Sequence, residues 1–275
     1  MAAADKAFQA EITAFKALQT KTSGVAKAFQ EPAGADAGFP DFGFTFEMPS
    51  GKKIDVHIEY KASHTAQMGS MRDWRFDGKK YSTADAKSEQ KAELIALMND
   101  TPAAIQNGKD ILKELQTLFH VSVKEISSGC LSVIKDKMAR RKYLDNYIAK
   151  KKKDYVIANI NSSSLGNKII THYENKFAKS RRPGIQGSIL AMMIDKEIWF
   201  VQTHGSVTAD DIATISQFMG APNPIKKLAN LTAKLECRIQ PRGLSAPISN
   251  PKPVSIDVMA SYRLQGKPSG GTKII

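Results

Sequence analysis

Residues 40–61 read PDFGFTFEMPSGKKIDVHIEYK, and the fold turns on how this stretch pairs with itself. Phe42, Phe44, Phe46 and Met48 alternate with Gly43, Thr45 and Glu47; then Ile54, Val56, Ile58 and Tyr60 alternate with Asp55, His57 and Glu59. Period-two alternation is the mark of a strand with one buried face, so two strands are predicted. Pro49-Ser50-Gly51-Lys52 supplies turn chemistry between them, which makes a hairpin. A loop of Ser50, Gly51 and Lys52 pairs Pro49 with Lys53, and thereby sets Gly43 opposite Glu59 and Asp41 opposite Lys61. Asp55, His57, Glu59 and Lys61 then share one face, read as solvated, while Val56, Ile58 and Tyr60 face a core. A slip of one residue would put Phe42 among the charges, which the hydrophobic pattern forbids.

Outward from the hairpin, helices and strands interleave. Phe8, Ile12, Phe15 and Leu18 give residues 4–29 one apolar helical face, with Gly24 weakening it or ending it early, and residues 31–40 form a loop. Helices are predicted over about 84–98 and 102–119, the second capped by Thr101 with Pro102 at its first position. Residues 155–160 read as a strand and 165–178 as a helix. SILAMMI and IWFVQT read as two buried strands joined by a turn at Asp195-Lys196-Glu197. Thr208 and Asp211 form a capping box for a helix to about residue 219. LECRIQ and PVSIDVMASYRL alternate like strands, and the final KPSGGTKII reads as frayed. This pattern predicts an α/β (α+β) fold: a mixed central β-sheet flanked by helices. One domain is expected over residues 1–275, with a catalytic hairpin at about 41–62 and a C-terminal elaboration over about 206–275.

Composition narrows the class. Hydrophobic residues are 42% and charged residues 24% of the chain, a globular balance rather than a disordered one. No run approaches the roughly 18 apolar residues of a membrane span. The start, MAAADKAFQAEITAF, carries acids unlike a secretory leader, and two cysteines make no disulfide framework, so a reducing cytoplasm is expected. Lys+Arg number 40 against 27 Asp+Glu, a formal charge of +13 that favours polyanions. Nine basic residues and two acids fall between Lys135 and Lys153, at helical spacing with Met138, Leu144, Tyr147 and Ile148. That segment is read as a basic helix ending in Lys150, Lys151, Lys152 and Lys153, a surface for backbone phosphates.

The chemistry sits at the open end of the hairpin. Asp41, Glu59 and Lys61 converge there, and Gly43 leaves room beside them. Two carboxylates on neighbouring strands suit Mg²⁺, which takes one or two protein carboxylates plus waters and phosphate oxygens, and the Tyr60 carbonyl can add a backbone ligand. A lysine beside such a site can orient the attacking water and stabilise charge developing on phosphorus.

Pro40-Asp41, seventeen residues, then Glu59-Tyr60-Lys61 resembles the signature of the PD-(D/E)XK nucleases. The setting is similar too: an N-terminal helix, a small-residue loop, the proline–aspartate pair opening a strand, and the acid-x-lysine on its partner. The resemblance covers about residues 1–65. It implies a restriction-endonuclease-like core and Mg²⁺-dependent DNA cleavage, with Asp41 and Glu59 holding the metal and Lys61 assisting water. It also places Glu11, on the first helix, where some members carry a further acid.

Other chemistries lack their motifs. The five histidines show no zinc-ligand spacing, and there is no GxxxxGK[ST] loop, GxGxxG or GxSxG. Ser162-Ser163-Ser164 caps the following helix or binds a phosphate there, and Trp74 between Arg72 and Arg75 either stacks on bases or is half-buried. Much of the chain lies beyond the short hairpin, which suits a sequence-specific DNA endonuclease resembling the type II restriction enzymes, and that resemblance implies a homodimer, since such enzymes commonly act as two-fold dimers. The alternatives are a structure-selective phage or recombination nuclease and a non-catalytic basic DNA-binding protein.

Overall fold

The computed structural model describes residues 3–32, 40–71, 74–83, 89–119, 122, 124–127, 155–178, 182–242 and 255–275. The chain divides into two compact units, a division the sequence reading did not make. The first comprises Met1–Ala66, Ile169–Thr232 and Leu264–Ile275; the second, Gln67–Lys168 and Ala233–Arg263. The expected C-terminal elaboration thus contributes to both.

The first unit is built on a six-stranded mixed sheet, in agreement with the α/β class. Its strands are β1 (Ala26–Gln30), β2 (Phe42–Glu47), β3 (Lys53–Lys61), β8 (Gly187–Ile194), β9 (Glu197–Gly205) and β12 (Thr272–Lys273), in that spatial order. All neighbours are antiparallel except β3 and β8, which run parallel in the register Asp55↔Ser188 to Lys61↔Ile194. The even-numbered side chains of β2 and β3 and the odd-numbered ones of β8 form the core. They pack under Ala14, Phe15 and Leu18 of α1 (Ala3–Thr22) and Ile215 of α5 (Ala209–Phe218). Phe15 stands 5.8 Å from the rings of both Phe42 and Phe44. Each such ring contributes about 2 kcal/mol by leaving water, which explains why this hairpin pins the helix. The other face of the sheet meets α4 (Ser163–Ala178), whose Phe177 lies 5.4 Å from His57 and 5.1 Å from His204.

Three local readings change. The first helix stops at Thr22 instead of 29, because Val25 N–H turns back to Thr22 and residues Ala26–Gln30 are taken up by β2 as an edge strand. Sheet pairing overrides the helical pattern there. The final residues are not frayed: β12 pairs with β9, and Ile274 is 1% exposed, its carbonyl accepting from Lys21. Between β2 and β3 the loop is Pro49-Ser50-Gly51, closed by Gly51 N–H to Met48 and Met48 N–H to Lys52, with Gly51 at φ 78°. This left-handed glycine gives the hairpin a bulged three-residue loop and moves the register by two.

The second unit holds the sheet β4 (Gln67–Met71), β11 (Ser255–Leu264), β10 (Ala233–Arg242) and β7 (Tyr155–Ser162), in that order. It also holds the small hairpin β5 (Trp74–Phe76) and β6 (Tyr81–Thr83), with α2 (Glu89–Asp100) and α3 (Pro102–Phe119). Trp74 is 1% exposed and 5.7 Å from Tyr81, so it packs a core and stacks on no base. Among the described residues, no helix is long and apolar enough to cross a membrane.

Candidate active site

The charged face of β3 is buried. Asp55, His57 and Glu59 are 1%, 3% and 5% exposed, because α4 covers a face the sequence reading left to solvent. In the observed register Gly43 lies opposite His57 rather than Glu59, and Thr45 lies opposite Asp55. Gly43 accordingly makes room for the β3 backbone: a Cβ there would stand 2.9 Å from the Val56 carbonyl oxygen, whereas His57 Nδ1 at 3.6 Å would be in ordinary contact.

Asp41, Glu59 and Lys61 do converge. Lys61 Nζ donates to Glu59 Oε1 at 2.7 Å and lies 3.8 Å from Asp41 Oδ2. The geometry follows from strand phase. Lys53 and Lys61 direct their carbonyls away from β2, to the amides of Gln186 and Asp195. Tyr60, one residue out of phase, directs its N–H and carbonyl to the β2 side, and that N–H meets Asp41 Oδ2 at 2.7 Å. The Tyr60 carbonyl therefore opens on the side where Asp41 stands.

A third acid joins from α1. Burial, followed by the charge of Asp41, raises the Glu11 carboxyl to about 7 against the opposing pull of Lys61, with Glu59 adding to the rise. Its Oε2 is buried with no hydrogen-bond partner among the described residues. Burial works against the Lys61 ammonium, but Glu59, Tyr173 and Asp41 outweigh it and hold its pKa above the ordinary lysine value. From α4, Tyr173 hydrogen-bonds Glu59, its own pKa pushed up first by burial and then by Glu59, and its ring centroid lies 5.9 Å from Lys61 Nζ. Three carboxyl groups thus surround one ammonium.

Four residues earlier on β3 the same face is balanced. Asp55 receives Arg182 through Nε at 2.8 Å and Nη2 at 2.6 Å, while Thr45 Oγ1 donates to it at 2.7 Å. Burial lowers the His57 pKa to about 4, Asp55 opposing and Arg182 adding to the fall.

Sequence reasoning missed Tyr173 and Arg182. Tyr173 shares an apolar helical stripe with Ile169 and Phe177, which reads as core and hides the hydroxyl. Arg182 ends the run Lys179-Ser180-Arg181-Arg182, which reads as surface charge. The segment with Lys150, Lys151, Lys152 and Lys153 lies outside the described residues.

The donor set admits a hard cation without forming a ready cage. Among the described residues no group of three or more His, Cys, Asp or Glu side chains is arranged to hold a metal ion. Glu59 is engaged by Lys61, and Asp41 by the Tyr60 amide. Mg²⁺, however, takes one or two carboxylates and completes its shell with water. A surplus of buried carboxylate with an unpartnered Glu11 oxygen suits that mode. No family model matches the chain, and no curated protein matches it in sequence.

Proposed function

We propose that this protein is a Mg²⁺-dependent DNA endonuclease of the PD-(D/E)XK type, cutting phosphodiester bonds at Asp41, Glu59 and Lys61. The observation that carries the reading is the convergence of these three side chains, with Glu11 beside them, at one end of a buried strand face. Asp41 and Glu59, with the Tyr60 carbonyl, would hold the ion. When bound, Mg²⁺ supplies Lewis-acid neutralisation of the phosphodiester's charge. Lys61, an ammonium that spends one donor on Glu59, has donors left to orient a water and to stabilise charge developing on phosphorus. The strand phase that fixes Asp41 on the Tyr60 amide pre-sets the carboxylate, so little reorganisation is needed as charge builds. Lys150, Lys151, Lys152 and Lys153 are proposed to contact backbone phosphates. A sequence-specific enzyme acting as a homodimer in a reducing cytoplasm fits this reading, with a structure-selective phage or recombination nuclease next to it.

A second reading rests on where the charge lies. The second unit carries 24 Lys+Arg against 14 Asp+Glu, and the first only 16 against 13. Most of the basic surplus therefore belongs to the unit that does not carry the carboxylate cluster, as in a DNA-binding protein without catalysis. One experiment separates the two. Purified protein is incubated with plasmid and phage genomic DNA in Mg²⁺ or EDTA, beside Lys61→Ala. Discrete Mg²⁺-dependent bands that vanish in the variant establish a sequence-specific nuclease, and a smear keeps the nuclease without the specificity. DNA that is shifted on a gel but never cut, branched and modified substrates included, overturns the nuclease in favour of the binding protein.

A further inference from the structure

Tyr173 is 4% exposed, and its hydroxyl hydrogen-bonds the Glu59 carboxylate. Its ring lies 5.9 Å from the Lys61 ammonium, within the range of a cation–π contact. One side chain from α4 therefore touches both members of the acid-x-lysine pair, on the face opposite the α1 core. The pair needs such support. Lys61 has a long flexible stem and one short hydrogen bond, to Glu59 Oε1 at 2.7 Å; Asp41 Oδ2 at 3.8 Å is beyond hydrogen-bond reach. Glu59 in turn faces Lys61 on one side and the like charges of the cluster on the other. Without a donor from α4, either its rotamer or its bond to Lys61 would be free to change.

We infer that Tyr173 is a positioning residue for the proposed cleavage: its hydroxyl fixes the Glu59 carboxylate and its ring fixes the Lys61 ammonium. The inference rests on the nuclease reading and adds to it a part played by the helix that covers the sheet. Tyr173 touches no substrate. It acts by holding the two groups that do, and a displacement of about 1 Å in such groups costs up to roughly 100-fold in rate.

The test compares Tyr173→Phe, Tyr173→Leu and Phe177→Leu with the unaltered protein. Phe177 lies on the same buried helix face and packs on His57 and His204, so its variant reports general loosening of α4. Tyr173→Phe keeps the ring and loses the hydroxyl; it is expected to lower kcat about tenfold, the worth of one hydrogen bond to a charged group. Tyr173→Leu loses both contacts and is expected to fall about 100-fold. DNA affinity measured in EDTA, and KM, are expected to stay within about twofold, and Phe177→Leu to lower thermal stability without this kcat pattern. Should Tyr173→Leu not fold, the Phe variant decides alone. Tyr173→Phe with unaltered kcat, or with its loss confined to KM, or matched by Phe177→Leu, overturns the positioning role and leaves the nuclease standing. An unaltered protein that cuts no DNA in Mg²⁺ overturns both, and the two failures are distinguished by the unaltered protein's own activity.

Discussion

The two ends of one strand face make different use of the same residue types. At Asp55 a carboxylate meets one guanidinium and one hydroxyl, every charge is answered, and the neighbouring histidine is kept neutral. At the Glu59 end Asp41 and Glu11 gather around a single lysine, and burial, with the charge of Asp41 added to it, pushes the Glu11 carboxyl up to about 7. Both ends are buried, so burial does not tell the two apart. Charge balance does. A closed pair stabilises a layer contact, whereas a surplus of carboxylate stores unfavourable energy that a cation or a phosphate-bound ion can relieve.

The comparison can be broken by exchanging a charge at each end. Glu59→Gln is expected to lower DNA cleavage by at least about 10³-fold while leaving DNA binding in place, as read by single-turnover cleavage and gel shift. Asp55→Asn is expected to do the reverse: about 3 kcal/mol of lost stability in denaturant unfolding, with kcat unchanged in the folded protein. Equal effects of the two variants on activity would end the distinction.

How much of this was legible in the sequence depends on parity. The loop was read one residue late, and the register moved by two; because side chains repeat every two residues, Asp41, Glu59 and Lys61 stayed on one face. Gly43 did not fare so well, since its partner changed from Glu59 to His57. The capping box of Thr208 and Asp211 was readable because both partners are local, Thr208 Oγ1 accepting from Asp211 N–H at 3.2 Å. What covers the charged face was not readable. Alternation shows that a strand has two faces but not that α4, far along the chain, lies over the polar one. Arg182 escaped for the same reason: its partner Asp55 is distant in sequence, and nothing local marks the pair.

Smaller effects sharpen the contrast through pH. The folded His57 holds its proton less tightly than in the unfolded chain, at about 4 instead of 6.5. Its neutral burial therefore contributes stability above pH 6.5 that is lost as pH falls towards 4. His57→Gln is expected to flatten the fall in thermal midpoint across that window. Glu11 has the opposite sign. Its folded pKa of about 7 lies above the ordinary 4.5, so stability declines as pH rises from 4.5 through 7. Partial solvent access makes this the weakest of the effects, and Glu11→Gln is expected to remove the decline and raise the thermal midpoint slightly at pH 8. A midpoint in Glu11→Gln that still falls between pH 5 and 7 would take Glu11 out of the cluster.

The parallel pairing of β3 with β8 has a consequence for timing. During synthesis the hairpin that bears Asp41, Glu59 and Lys61 emerges early, but the helix over its polar face, α4, and its second neighbour, β8, follow only after residues 67–162. Late long-range pairing delays assembly. A nascent chain thus carries these three side chains long before it can seat them, which would keep the proposed cutting activity silent until α4 and β8 have been made.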